Sequence, residues 1–314
     1  MKNLFAEAIQ GGNHLLISDE NLDERFAGAL KDAIGDQFRV KVIVTYRPIH
    51  QWLLSWYSQI NKSTDKDANG NLLKDENGFV MRDVHTHWPS DGGVKVPNFS
   101  SWYRNFVHAF DDSNDIVSHH PSVHFMNVYK PLFERVNIYN MNQEGDFVTN
   151  FMCQMIPEAS KTCDHLKEGV TLPLVNPSVN VEYDILSVEA YEIGLIDQKL
   201  TRPTVVSEVT KYVKESNKVL PRRCENEVLD QIHNWLIDSD KLMFPNNWSS
   251  DRRVVVGKTF NSYLSSGKLC DIDVDSILND SEWIQFFASL ERSRSLLGKW
   301  DRLNSILSSY LQRF

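Results

Sequence analysis

The chain has 314 residues, 41% hydrophobic and 24% charged, a balance that supplies an ordinary globular core in one large domain or two small ones. A formal net charge of −9, with no basic stripe, argues against a nucleic-acid-binding protein. No apolar run approaches the roughly eighteen residues of a membrane span, and Met1–Gly12 lacks the apolar core of a signal peptide.

The first element is His14–Ser18, where Leu15, Leu16 and Ile17 form a short apolar run that reads as a buried strand. A helix is predicted from Leu22 to Ile34, with Asn21 and Glu24 at capping-box-like spacing and Gly35 as the stop. Val40–Tyr46 is a second strand, apolar and β-branched enough for burial on both faces. Pro48–Asn61 reads as the next helix, with the proline in its first turn. Strand, helix, strand, helix over short connections is the pattern of a parallel sheet in an α/β fold.

Lys62–Ser100 breaks that pattern: it is rich in Asn, Asp and Gly and too long for an ordinary connection. Helices are predicted over Phe99–Phe110 and Ser122–Arg135, a third strand over Val136–Asn140, and a helix over Phe147–Ile156 stopped by Pro157. From about Tyr183 onward the pattern is helical. In Ser281–Phe314 the spacing of Trp283, Phe286, Phe287, Leu290 and the apolar residues beyond them marks core packing. The expected organisation is one domain over 1–314, with an α/β part at 1–160 carrying a long loop at 62–100, and a helical part at 161–314.

None of the four cysteines forms a CxxC pair. Cys153 and Cys163 either close a short disulfide loop or stand as two buried thiols. Sequons at Asn61, Asn98, Asn247 and Asn279 are close in number to what this composition gives by chance.

The most informative segment is VKVIVTYRPIHQWLLSWYSQINK, residues 40–62. Arg47 stands at the carboxyl end of a strand, the edge where open α/β sheets bind ligands. Ser55 lies eight residues on, in the following helix. Trp52, Ser55 and Gln59 share one helical face, and Leu53, Trp56 and Ile60 share another that would pack on the sheet. A guanidinium and a hydroxyl so placed can converge on one anion, and the planar fork of arginine suits phosphate. The competing reading is an arginine paired with a structural carboxylate and a serine facing solvent.

The strand, the arginine at its end and the serine eight residues later resemble the 3′-phosphate motif of the sulfotransferases, which transfer a sulfuryl group from 3′-phosphoadenosine 5′-phosphosulfate (PAPS). YRPIHQWLLSWYSQINK is similar to their algal and bacterial members. Pro48 replaces the asparagine usual after the arginine in the animal cytosolic enzymes. HLLISDENLDERF, residues 14–26, resembles the strand that carries the catalytic base, and FERVNIYNMNQEGDFVTNFMCQMI, residues 133–156, resembles a later strand–turn–helix. The likeness covers roughly residues 10–160. It implies an α/β fold with a parallel sheet of the P-loop nucleotide-binding type and a largely helical C-terminal half. It implies PAPS as co-substrate, Arg47 and Ser55 on its 3′-phosphate, and Glu20 or Asp19 as the base that takes the acceptor proton. Alternatively, those two acids only lead into a helix start. The implied acceptor is a hydroxyl, most plausibly of a carbohydrate, and the implied location is the Golgi lumen if an anchor precedes the chain, otherwise the cytoplasm.

Members of the family also hold the 5′-phosphosulfate on a glycine-rich loop at a helix start. The thirteen residues before His14 are too few for it, and Gly257-Lys258-Thr259 lacks the accompanying glycine. The expectation is therefore an N-terminally truncated sulfotransferase-like protein, inactive and poorly stable as this chain alone. The alternative is a non-catalytic calcium- or glycan-binding relative on the same scaffold.

A second pattern lies in the long loop. Asp65, Asp67, Asn69, Asn71 and Glu76 follow the spacing of an EF-hand calcium loop, with Gly70 at the turn. The same residues also suit a solvated turn-rich loop, and Asn77-Gly78 would break the helix that should follow.

Overall fold

The computed structural model describes residues 10–11, 17, 24–34, 38–61, 87–109, 116–141, 146–168, 181–196 and 199–290. The chain is α/β and mostly helical, and it divides into two compact units, each assembled from three chain segments. The division falls within four helices: α2 (Ile49–Ile60), α3 (Phe99–His108), α10 (Asn226–Met243) and α11 (Ser250–Ser265).

The first unit takes residues 1–53, 106–176 and 229–262. Its sheet is a parallel pair, β1 (Val42–Tyr46) and β2 (Val136–Asn140), in register from Val42↔Val136 to Tyr46↔Asn140. The strand expected at 136–140 thus forms at those residues and pairs in parallel. β1 is buried on one side only: Val44 and Tyr46 are covered, while Ile43 is half-buried and Thr45 exposed. Val44 and Tyr46 pack with Val123 of α5 (Pro121–Tyr129) and Met243 of α10. Ala27, Leu30 and Ile34 of α1 (Glu24–Ile34) cover Tyr129 and Phe133. α5 ends short of the expected Arg135: Lys130 is still helical in backbone, but Pro131 has no N–H to continue the ladder. α4 (Ile116–His119) is one turn before α5.

After β2, α6 (Phe147–Asn150) is capped by Asp146, whose carboxylate accepts from the Thr149 amide at 2.7 Å. It widens at once into a π-turn over Phe151–Met155, where one regular helix was expected. Cys153 in that turn is bonded to Cys163 in α7 (Ser160–Lys167), so the disulfide reading of this pair holds.

The second unit takes residues 54–105, 177–228 and 263–314. α3 (Phe99–His108) is capped by Asn98, whose side chain accepts from the Ser101 amide at 2.8 Å. α8 (Val181–Glu192) and α9 (Arg202–Ser216) bury Leu186, Val188, Val205 and Val209 in one core. Trp283 and Phe287, from the helical residues 281–290, join that core as their spacing requires. The run expected to be helical throughout is interrupted by an antiparallel pair, β3 (Arg222–Arg223) with β4 (Asp271–Ile272), before α12 (Val274–Leu278). Arg222 faces Ile272 and Arg223 faces Asp271, and the next opposed pair is Cys224 and Cys270, which form a disulfide. Two-residue strands bury little on their own, and the covalent link supplies what the ladder lacks.

The described end of the long loop, from residue 87 onward, is firmly held. The Trp88 ring stacks on Tyr191 at 4.1 Å and its Nε1–H donates to the Leu200 carbonyl at 2.7 Å. Arg202 donates to the carbonyls of His87 and Val94 at 3.0 and 2.9 Å. The turn between them requires Gly93, since a Cβ there would lie 2.0 Å from the His87 oxygen. No helix among the described residues is long and apolar enough to cross a membrane.

Candidate functional site

The site is built where β1 ends and the chain turns into α2. Each carbonyl at that end is taken by a different donor. The Ser122 hydroxyl donates to Thr45 O at 2.8 Å, the Met141 amide to Tyr46 O at 2.9 Å, and His120 Nε2 to Arg47 O at 2.8 Å. Pro48 then opens the helix, its carbonyl accepting from the Gln51 and Trp52 amides. α2 runs over Ile49–Ile60, within one residue of the sequence expectation at each end.

Arg47 is half-buried at the strand end, and among the described residues its guanidinium enters no hydrogen bond or ion pair. The structural-carboxylate reading of Arg47 therefore finds no partner among those residues. The neighbouring charges are already matched. Arg252 forks onto Asp240, with Nη2 at 2.9 Å from Oδ1, and its guanidinium lies 3.7 Å from the Phe244 ring. Tyr46 is fully buried, its hydroxyl 3.3 Å from Ser239 Oγ and its ring edge-on to Phe244. Burial first, and the Asp240 charge second, push the Tyr46 phenol well above its usual range, so it stays neutral.

His120, whose sequence surroundings suggest no more than a surface histidine, is instead buried at this site. It caps α5, is 1% exposed, and lies between the rings of Tyr46 and Trp52, at centroid distances of 5.7 and 5.3 Å. Because a carbonyl only accepts, Nε2 carries the proton, and Nδ1 has no hydrogen-bond partner among the described residues. Burial lowers its pKa to about 4 against the opposing effect of the Arg47 bond. His50, buried in the first turn of α2, is likewise lowered to about 4 by burial and by His233, and both rings pack on Phe260.

Ser55 sits in α2 as expected and is half-buried, as is Trp52. The apolar face of α2 differs from the expected one. Ile49, Leu53 and Tyr57 are buried at i, i+4 and i+8, whereas Trp56 and Ile60 are 42% and 49% exposed. Gly257-Lys258-Thr259 lies inside α11, so it forms no phosphate loop. The expected base residues, Glu20 and Asp19, lie outside the described residues, as do Asp65, Asp67, Asn69, Asn71 and Glu76. Of the strand expected at His14–Ser18 only Ile17 is described, and it is exposed in irregular backbone.

The second unit holds a cleft of 650 Å³ between the Lys95–Asn98 segment and β4. Its charges are largely spoken for. Lys95 pairs with Glu189 and Glu192 at 2.6 and 2.7 Å, Glu225 pairs with Arg104, and Asp273 caps α12 through the Ser276 amide. No group of three or more ligating side chains suited to a metal ion occurs among the described residues. The chain matches no known family model, no curated protein and no solved structure.

Proposed function

We propose that the carboxyl end of β1 binds the 3′-phosphate of PAPS and that the protein belongs to a sulfuryl-transfer system acting on a hydroxyl of a carbohydrate. The observation that carries this reading is Arg47: a half-buried arginine at the carboxyl end of β1, the edge where open α/β sheets bind ligands, without a protein counter-charge among the described residues, on a backbone fixed by three hydrogen bonds. A cation at a partly covered strand end favours an anion, and a fork-shaped one favours phosphate. The finer assignment to a sulfotransferase with a P-loop-type sheet rests on the sequence likeness around Arg47 and Ser55.

In this reading Arg47 donates two parallel hydrogen bonds to the 3′-phosphate and the Ser55 hydroxyl a third. In the reaction the acceptor oxygen bonds to sulfur as the sulfur–phosphate oxygen bond breaks, and adenosine 3′,5′-bisphosphate leaves. Glu20, or Asp19, takes the acceptor proton. Calcium on Asp65–Glu76 is a separate proposal, decided by calorimetric titration with millimolar calcium. The two disulfides favour maturation in an oxidising lumen such as the Golgi.

The test is calorimetric titration of the full chain with adenosine 3′,5′-bisphosphate. Binding that Arg47→Ala weakens about tenfold or more supports the reading. Preference for ATP points instead to a nucleotide kinase relative, and indifference to both nucleotides points to a non-catalytic scaffold.

A further inference from the structure

We propose that His120 is a positioning residue for Arg47, holding the strand end in the conformation that presents the guanidinium to phosphate; this rests on the nucleotide-binding reading above. Packing alone does not call for a histidine. A phenylalanine would fill the space between Tyr46 and Trp52 without burying polar nitrogens, and burying Nδ1 with no partner among the described residues carries a cost of its own. What the imidazole adds is the 2.8 Å bond to Arg47 O. That carbonyl belongs to the residue at which the backbone leaves β1, one residue beyond the last register pair of β1 with β2. The donor itself is held firmly. His120 is followed by Pro121 in the first turn of α5, where the ring fixes the backbone, and Ser122 ties the same turn to Thr45 O. α5 therefore holds alternate carbonyls on one side of β1, while β2 and Met141 occupy the other side. Fixing the residue that bears the anion-binding side chain reduces the ordering it must undergo on binding.

The experiment is a cycle of full-length variants titrated with adenosine 3′,5′-bisphosphate: wild type, His120→Phe, His120→Gln, Arg47→Ala, and His120→Phe with Arg47→Ala. His120→Phe keeps the packing and loses the donor, and is expected to weaken binding about tenfold, the equivalent of one net hydrogen bond. His120→Gln restores an N–H donor of similar reach and is expected to recover most of that loss. In the Arg47→Ala background His120→Phe is expected to change nothing further, because it acts through Arg47. Wild-type affinity in His120→Phe overturns the proposal, and so does a loss that multiplies in the double variant. If wild type binds no nucleotide, the site itself fails and the role of His120 with it. Should His120→Phe lose its cooperative thermal transition, His120→Leu, which is smaller and also lacks a donor, takes its place in the cycle under the same criteria.

Discussion

Arg202 closes both arms of its guanidinium on Asp184, with Nε 2.8 Å from Oδ1 and Nη2 2.5 Å from Oδ2, and both side chains are buried. The remaining nitrogen holds the carbonyls of His87 and Val94. An ion pair this buried adds little over well-packed apolar residues, yet breaking it leaves an uncompensated charge. Asp184→Asn and Arg202→Met are each expected to cost about 3–5 kcal/mol in urea unfolding. A loss below about 1 kcal/mol would mean that water enters the pair.

Much of this was written in local pattern. β1, β2 and α2 follow from β-branched runs, Pro48 and apolar spacing, and Trp283 and Phe287 are buried as their stripe demands. The non-local features were not legible. Arg202 sits in the first turn of α9, and nothing in its neighbourhood announces Asp184, eighteen residues earlier, as its partner. The β3–β4 pair is two residues per strand, too short for any period, and its disulfide joins cysteines 46 positions apart. His120 reads as one of several surface histidines until the fold brings Arg47 O to it across 73 residues. The buried face of α2 was misassigned because Trp56 and Ile60 are apolar enough for a core, while the face that is covered uses Ile49 and Tyr57.

The two disulfides differ in loop length, 46 residues for Cys224–Cys270 against 10 for Cys153–Cys163. On the chain-entropy account these are worth about 4 and about 2.7 kcal/mol. Cys224→Ser with Cys270→Ser is therefore expected to lower the urea midpoint more than Cys153→Ser with Cys163→Ser. Equal losses would show that native-state contacts, not loop closure, set the contribution.

Acid should destabilise the first unit through its buried histidines. Both His50 and His120 fall to about 4 in the folded chain, against about 6.5 unfolded. Between those values the unfolded chain binds the extra protons, so stability is complete above about pH 6.5 and declines as pH falls towards 4. The slope is about 1.4 kcal/mol per pH unit for each histidine while both differences persist. Urea unfolding at pH 7.5 and pH 5 is expected to show that decline, and His50→Phe to reduce it. An unchanged slope in His50→Phe would place the titration elsewhere.

The chemistry at Arg47 separates a fork from a charge. Arg47→Lys keeps the cation but replaces the planar pair of donors with a point charge. If the 3′-phosphate is gripped by two parallel hydrogen bonds, Arg47→Lys should recover little of the affinity that Arg47→Ala loses, and both should weaken adenosine 3′,5′-bisphosphate by about tenfold or more. Ser55→Ala removes a single neutral donor and should cost less, about two- to tenfold. Neither substitution should alter thermal stability much, since the Arg47 guanidinium holds no described partner and Ser55 is half-buried. Adenosine 5′-monophosphate, which lacks the 3′-phosphate, is the control ligand: it should bind wild type and Arg47→Ala alike. A lysine variant that binds as wild type would reduce Arg47 to general electrostatic attraction, and the geometric case for a phosphate-specific site would fail with it.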